Sequence, residues 1–80
     1  MSGLRARVIE ALTDHGVAVT DGDSPAALRE RLNDLYLEEV RHLRERQRSG
    51  EIPLPEYAAH VERLKERFAL LGLPLAQWEG

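Results

Sequence analysis

Glu39 and His42 form an E-x-x-H pair, a spacing that sets a carboxylate and an imidazole on one side of a helix. In ferritin-like bundles such pairs ligate metal together with glutamates from neighbouring helices. The chain has no second copy, because Glu56 and His60 are spaced by four. A metal site would therefore need a two-fold dimer to bring two Glu39/His42 pairs together, and neither metal nor any other cofactor is the expectation. His15, His42 and His60 are dispersed along the chain and read as solvated. Asp21, Gly22 and Asp23 suggest a calcium loop, but the sixth and twelfth places counted from Asp21 hold Ala26 and Leu32, where an EF-hand needs Gly and Glu. A solvated turn is the expected role.

Arg41, Arg44 and Arg48 fall within a ~60° arc at ~100° per residue of helix, the kind of stripe that contacts phosphates. Glu38 and Glu45 flank it and the chain carries a net charge of −3, so helical ion pairing on a solvated face competes with weak nucleic-acid binding. Catalysis needs a nucleophile with a base, or paired carboxylates in a pocket, and 80 residues leave little interior for one. No enzyme activity is expected.

The elements that would carry these residues are helices. Tyr57, Val61, Leu64, Phe68 and Leu71 step by 4, 3, 4 and 3, the heptad spacing that keeps one seam of a helix against a partner. Tyr36, Val40, Leu43 and Gln47 step by 4, 3 and 4. Pairing Gln47 with Tyr57, Leu43 with Val61, Val40 with Leu64 and Tyr36 with Phe68 makes every pair equidistant from Ile52. Two helices folded back there set each seam residue opposite another.

The breaks agree with that hairpin. Ser24 before Pro25 is a helix start, with a hydroxyl to cap and a proline where no donor is needed. Nothing interrupts the helix until Ser49 and Gly50, and Pro55 both opens the next helix and keeps Leu54 out of the helical region. Gly72 is the expected end of that helix, with Leu73 touching Phe68 as in a Schellman cap. Gly3 to His15 reads as a short helix with Leu4, Val8, Ile9 and Leu12 on one side and Gly16 as its left-handed cap. It is too short to stand alone, and the strip Leu28, Leu32, Leu35 is where it should lie. Val17 to Asp23 is an extended connection with a buried edge.

The remaining apolar residues point outward from this scheme. Leu37 falls on neither strip, either an ordinary exposed leucine or a partner contact. The tail Leu73, Pro74, Leu75, Ala76, Gln77, Trp78 either folds back over the open end of the hairpin or serves as a docking peptide, since Trp is enriched at interface hot spots. Charge is also uneven: eight acidic residues against two basic ones from Glu10 to Glu39, and seven basic against five acidic from Arg41 to Arg67. Such a field steers a partner or orders a head-to-tail assembly.

Gly50-x-Ile52, then Glu56-Tyr57 and Leu64, with Leu43 upstream, resemble the short C-terminal domain family (SHOCT), a small helical hairpin with a G-x-[IL]-[TS]-x-x-E-[FY] signature. The resemblance covers residues 40–71, and Pro53 stands where that family carries Thr or Ser. It implies no catalytic residue, and it implies an oligomerising or partner-binding module.

The sequence thus predicts one all-α domain over 1–80: helices near 3–15, 24–48 and 55–71, the last two an antiparallel, coiled-coil-like hairpin, followed by an apolar tail at 73–80. The seam is Tyr36, Val40, Leu43, Tyr57, Val61, Leu64 and Phe68. Partner contacts are expected at Leu37, Leu73, Leu75 and Trp78. A chain this small is marginal by itself, and without cysteine it has no disulfide to help, so self-association or a place as an accessory subunit is the expected function. No apolar run approaches the ~20 residues of a membrane span and the N-terminus does not read as a secretory leader, so a cytoplasmic protein is expected.

Overall fold

A 24-residue helix, α2 (Pro25–Arg48), is the spine on which everything else packs. The computed structural model describes residues 3–79; Met1, Ser2 and Gly80 of the expected domain lie outside them. Ser24 Oγ accepts from the Ala27 amide at 3.1 Å, with Pro25 in the first turn, so the start is set by the hydroxyl and the missing donor that the sequence offers. Helix α3 (Leu54–Arg67) returns antiparallel along α2. Helix α1 (Ala6–Asp14) covers the open end. The described residues are all-α, without a strand beyond one isolated antiparallel bridge between Leu4 and Glu79.

Two glycines make the corners. Gly16 (φ +83°) donates to Thr13 O at 2.9 Å while Val17 N donates to Leu12 O at 2.9 Å, the bond pair of a Schellman motif that ends α1 and drops Val17 into the core. Gly50 (φ +86°) donates to Gln47 O at 3.1 Å, and Ile52 N reaches back to Arg46 O at 3.1 Å. Ile52 is thereby turned inward, 2% exposed, as the plug of the closed end. Nothing lies within 4 Å of a Cβ added at Gly50, so Gly50→Ala should cost only the left-handed backbone penalty of about 1–2 kcal/mol. A drop of that size in urea-unfolding free energy, with no loss of helical circular dichroism, is the expected result.

Three element ends differ from the sequence expectation. α3 starts at Leu54, with Pro53 as its N-cap and Pro55 within the first turn, where a missing donor costs nothing, so Leu54 is not kept out of the helix. α1 starts at Ala6 rather than near Gly3: Arg5 is extended (φ −67°, ψ 142°), Leu4 bridges Glu79, and the Arg5 amide donates to Trp78 O at 3.0 Å. α3 ends at Arg67 rather than Leu71: Phe68 leaves the helical region (φ −106°, ψ 37°) and the chain tightens into 3-10 turns at Ala69–Gly72 and Leu75–Gln77. Gly72 is not left-handed, and Leu73 is extended and 37% exposed. Two carbonyls past the break find tertiary donors: Leu70 O takes Trp78 Nε1 at 3.3 Å and Leu71 O takes Arg29 Nη2 at 3.0 Å.

The core joins Val8, Leu12, Val17, Leu28, Leu32, Leu43, Ile52, Leu64, Phe68 and Trp78, with Leu12, Leu28, Leu32 and Trp78 at 0% exposure. Of the seam, Leu43, Leu64 and Phe68 are buried, while Tyr36, Val40, Tyr57 and Val61 are half-buried against the same cluster. α1 takes Leu28 and Leu32 but not Leu35, which stays 37% exposed. The molecule is a rod of 47 × 18 × 17 Å with a radius of gyration of 14.7 Å, against the ~11.6 Å of a compact chain of this length. It carries an accessible surface of 5633 Å², roughly 700 Å² more than the ~4,900 Å² typical of its mass.

Candidate interaction surface

Among the described residues no polar or charged side chain is buried, and no three His, Asp or Glu groups converge to hold a metal ion. Glu39 and His42 are exposed on α2 beyond the reach of α1. His42 turns its Nε2 toward Glu38 at 3.9 Å, one helical turn away, an exposed contact of little energetic consequence.

His15 is a correction to the reading of three solvated histidines. Its ring stacks on Phe68 with centroids 4.2 Å apart at 24°, and Nε2 lies 2.7 Å from Arg67 O. A carbonyl only accepts, so Nε2 carries the proton. The contact ties the end of α1 to the end of α3, a structural role that residue spacing could not reveal because the partners are 52 positions apart.

Asp23 is likewise occupied. Its carboxylate accepts the Thr20 amide at 2.9 Å, the Thr20 hydroxyl at 3.0 Å and Arg31 Nη2 at 3.1 Å. The Thr20 amide and then the Thr20 hydroxyl hold its pKa below the usual carboxylate value, with Arg31 adding less. The carboxylate closes the loop into α2, with Asp21 and Gly22 exposed in the turn and the Asp23 side chain largely covered by its partners.

Of the four residues expected to meet a partner, Trp78 is excluded by burial. It sits at 0% exposure in the core, its indole N–H on Leu70 O and its carbonyl on Arg5 N. Trp78 carries the largest side chain in a core otherwise short of aromatic area, so the open end of the hairpin is its lowest free-energy position. Leu75 packs half-buried against the same cluster. Leu73 remains 37% exposed and Leu37 49% exposed.

Leu37 is not alone. With Val40, Arg41, Arg44, Glu45 and Arg48 it lines a shallow open depression of about 460 Å³ along the outside of α2, on the opposite side of the helix from Leu28 and Leu32. The structure therefore places the exposed leucine and the arginine stripe, which the sequence offered as separate features, on one surface. Among the described residues none of the three arginines makes an ion pair within the chain. Glu38 and Glu45, the expected partners at helical spacing, leave them free. An apolar centre ringed by uncommitted guanidinium groups is chemically suited to a protein surface carrying carboxylates.

No helix among the described residues is long and apolar enough to cross a membrane. Compared with protein-family models, with curated proteins and with solved structures, the chain has no significant match.

Proposed function

We propose that the protein is a non-catalytic helical interaction module of the cytoplasm, either self-associating or the small accessory subunit of a larger assembly, whose contact surface is the outer face of α2 around Leu37. The observation that carries the reading is the union of a half-exposed leucine with three unpaired arginines on a face that no other element covers. The surplus surface of roughly 700 Å² over a compact monomer is close to the ~800 Å² that each partner gives to a standard interface. The likeness of residues 40–71 to the SHOCT hairpin supports the same reading, since it implies oligomerisation or partner binding. The tail no longer belongs to the contact, apart from Leu73.

A photo-crosslinking side chain placed at Arg41 or Glu45 tests this in cells. It should capture protein, while the same group at Arg63 or Glu66, exposed on α3, should capture none. Equal capture from both helices, or none from α2, would overturn the proposal. Leu37→Lys should abolish the capture at Arg41 without lowering the thermal midpoint, because a side chain 49% exposed contributes within about 0.5 kcal/mol to folding.

A further inference from the structure

The outer face of α2 has a periodicity of its own. Glu30, Asp34, Leu37, Arg41, Arg44 and Arg48 step by 4, 3, 4, 3 and 4, a second heptad seam on the side of the helix away from the core. All six are exposed. Among the described residues none of the five charged ones has an ion-pair partner within the chain. The seam is acidic at its N-terminal end, apolar at Leu37 and basic at its C-terminal end. It also holds like charges one turn apart, Glu30 over Asp34 and Arg44 over Arg48, an arrangement that is destabilising when nothing compensates it.

We propose that this seam docks on the same seam of a second copy, antiparallel, about a two-fold axis level with Glu39; the inference rests on the interaction-module reading and names its partner. The sequence is self-complementary about that point. Glu30 meets Arg48, Asp34 meets Arg44 and Leu37 meets Arg41, each pair equidistant from position 39, and the two-fold repeats all three. Four opposite-charge pairs then form around two leucines, each covered by the aliphatic stem of the facing arginine, whose head reaches solvent. Alternative arrangements fail on charge. A parallel pairing sets Glu30 on Glu30 and Arg44 on Arg44. Sliding the antiparallel pair by one heptad either leaves Arg44 and Arg48 unmatched or sets Arg41 on Arg44. α1 and α3 lie on the other side of α2, so both copies can approach along the full length of the seam. Exposed ion pairs are individually weak, so the dimer forms at low ionic strength and loses its electrostatic attraction as salt rises.

Charge reversal in two halves is the test, read by sedimentation and light scattering on the purified full chain. Wild type should run as a dimer at low salt and as a monomer in about 1 M salt, where the screening length falls to about 3 Å. E30K/D34K and R44E/R48E should each be monomeric, since every seam pair in either homodimer becomes like-charged. Mixed at equal concentration, they should form a one-to-one heterodimer, in which all four pairs are again opposite. All substituted positions are exposed, and unchanged helical circular dichroism will verify that each variant folds. A wild-type monomer at low salt, a dimer indifferent to both reversals, or two variants that do not pair when mixed would each overturn the self-docking. Failure here with position-specific capture at Arg41 intact would remove the second copy as the partner and leave the module; failure of both would remove the module as well.

Discussion

Replacing Trp78 by alanine is expected to remove about 3–5 kcal/mol of stability from a chain whose total, at 80 residues, is on the order of 4–12 kcal/mol. Trp78 is completely buried and belongs to the same cluster as Val8, Leu12, Leu28 and Leu32, so its loss opens a cavity where α1, α2 and the tail meet. The tail itself is held by few bonds: Trp78 O to Arg5 N at 3.0 Å, Trp78 Nε1 to Leu70 O at 3.3 Å and Arg5 Nε to Glu79 O at 3.0 Å. Without the indole those bonds have no apolar anchor, and the start of α1 loosens with them. The thermal midpoint should fall by at least about 12 °C, at about 4–8 °C per kcal/mol for a domain of this size, or the transition should disappear. W78F is the control. It keeps most of the buried area and loses one hydrogen bond to Leu70 O, for about 1 kcal/mol. Trp78 is the only tryptophan, so its native emission should be blue-shifted and should move red on unfolding. An unshifted wild-type emission, or a W78A variant as stable as wild type, would return the residue to the docking role that the sequence also allowed.

What was legible in the sequence was whatever repeats within a helix. The mirrored heptads about Ile52 carry the α2/α3 pairing, and the Ser24-Pro25 and Gly50 signals set both ends of α2 at the residues observed. Gly16 and the buried edge at Val17 follow from the same local rules. Tertiary satisfaction of single groups was not legible. Past the break of α3 at Phe68, Leu70 O and Leu71 O take their donors from Trp78 and from Arg29 on another helix. His15 looked solvated because its stacking partner is remote in sequence, and apolar spacing alone did not separate Leu35, 37% exposed, from the buried Leu28 and Leu32. The candidate surface was half legible. Leu37 and the arginine stripe were each visible and their 4, 3, 4 spacing puts them on one helix face, but that this face points away from the core comes from the rotation of α2 in the hairpin.

Phe68→Ala should be the other large loss, again about 3–5 kcal/mol, for a different reason. Phe68 is 5% exposed and is the residue at which α3 breaks. Its ring stacks on His15 at 4.2 Å and meets the edge of Tyr36 at 5.5 Å, so one side chain joins the loop after α1, the middle of α2 and the end of α3. If these three segments form one cooperative unit, urea unfolding of F68A keeps the wild-type slope and shifts only its midpoint. A reduced slope would mean that α1 detaches first and that the rod is the α2/α3 hairpin with a separable cover. The aromatic pair can be isolated from the cavity by a double-mutant cycle with His15→Ala, where a coupling of about 0.5–1.5 kcal/mol is expected. Phe68→Leu conserves more of the volume and should lose the stack without most of the cavity. A coupling near zero would show that His15 is held by its bond to Arg67 O alone, and that α1 is positioned by Val8, Leu12 and Trp78 without help from the aromatic contact.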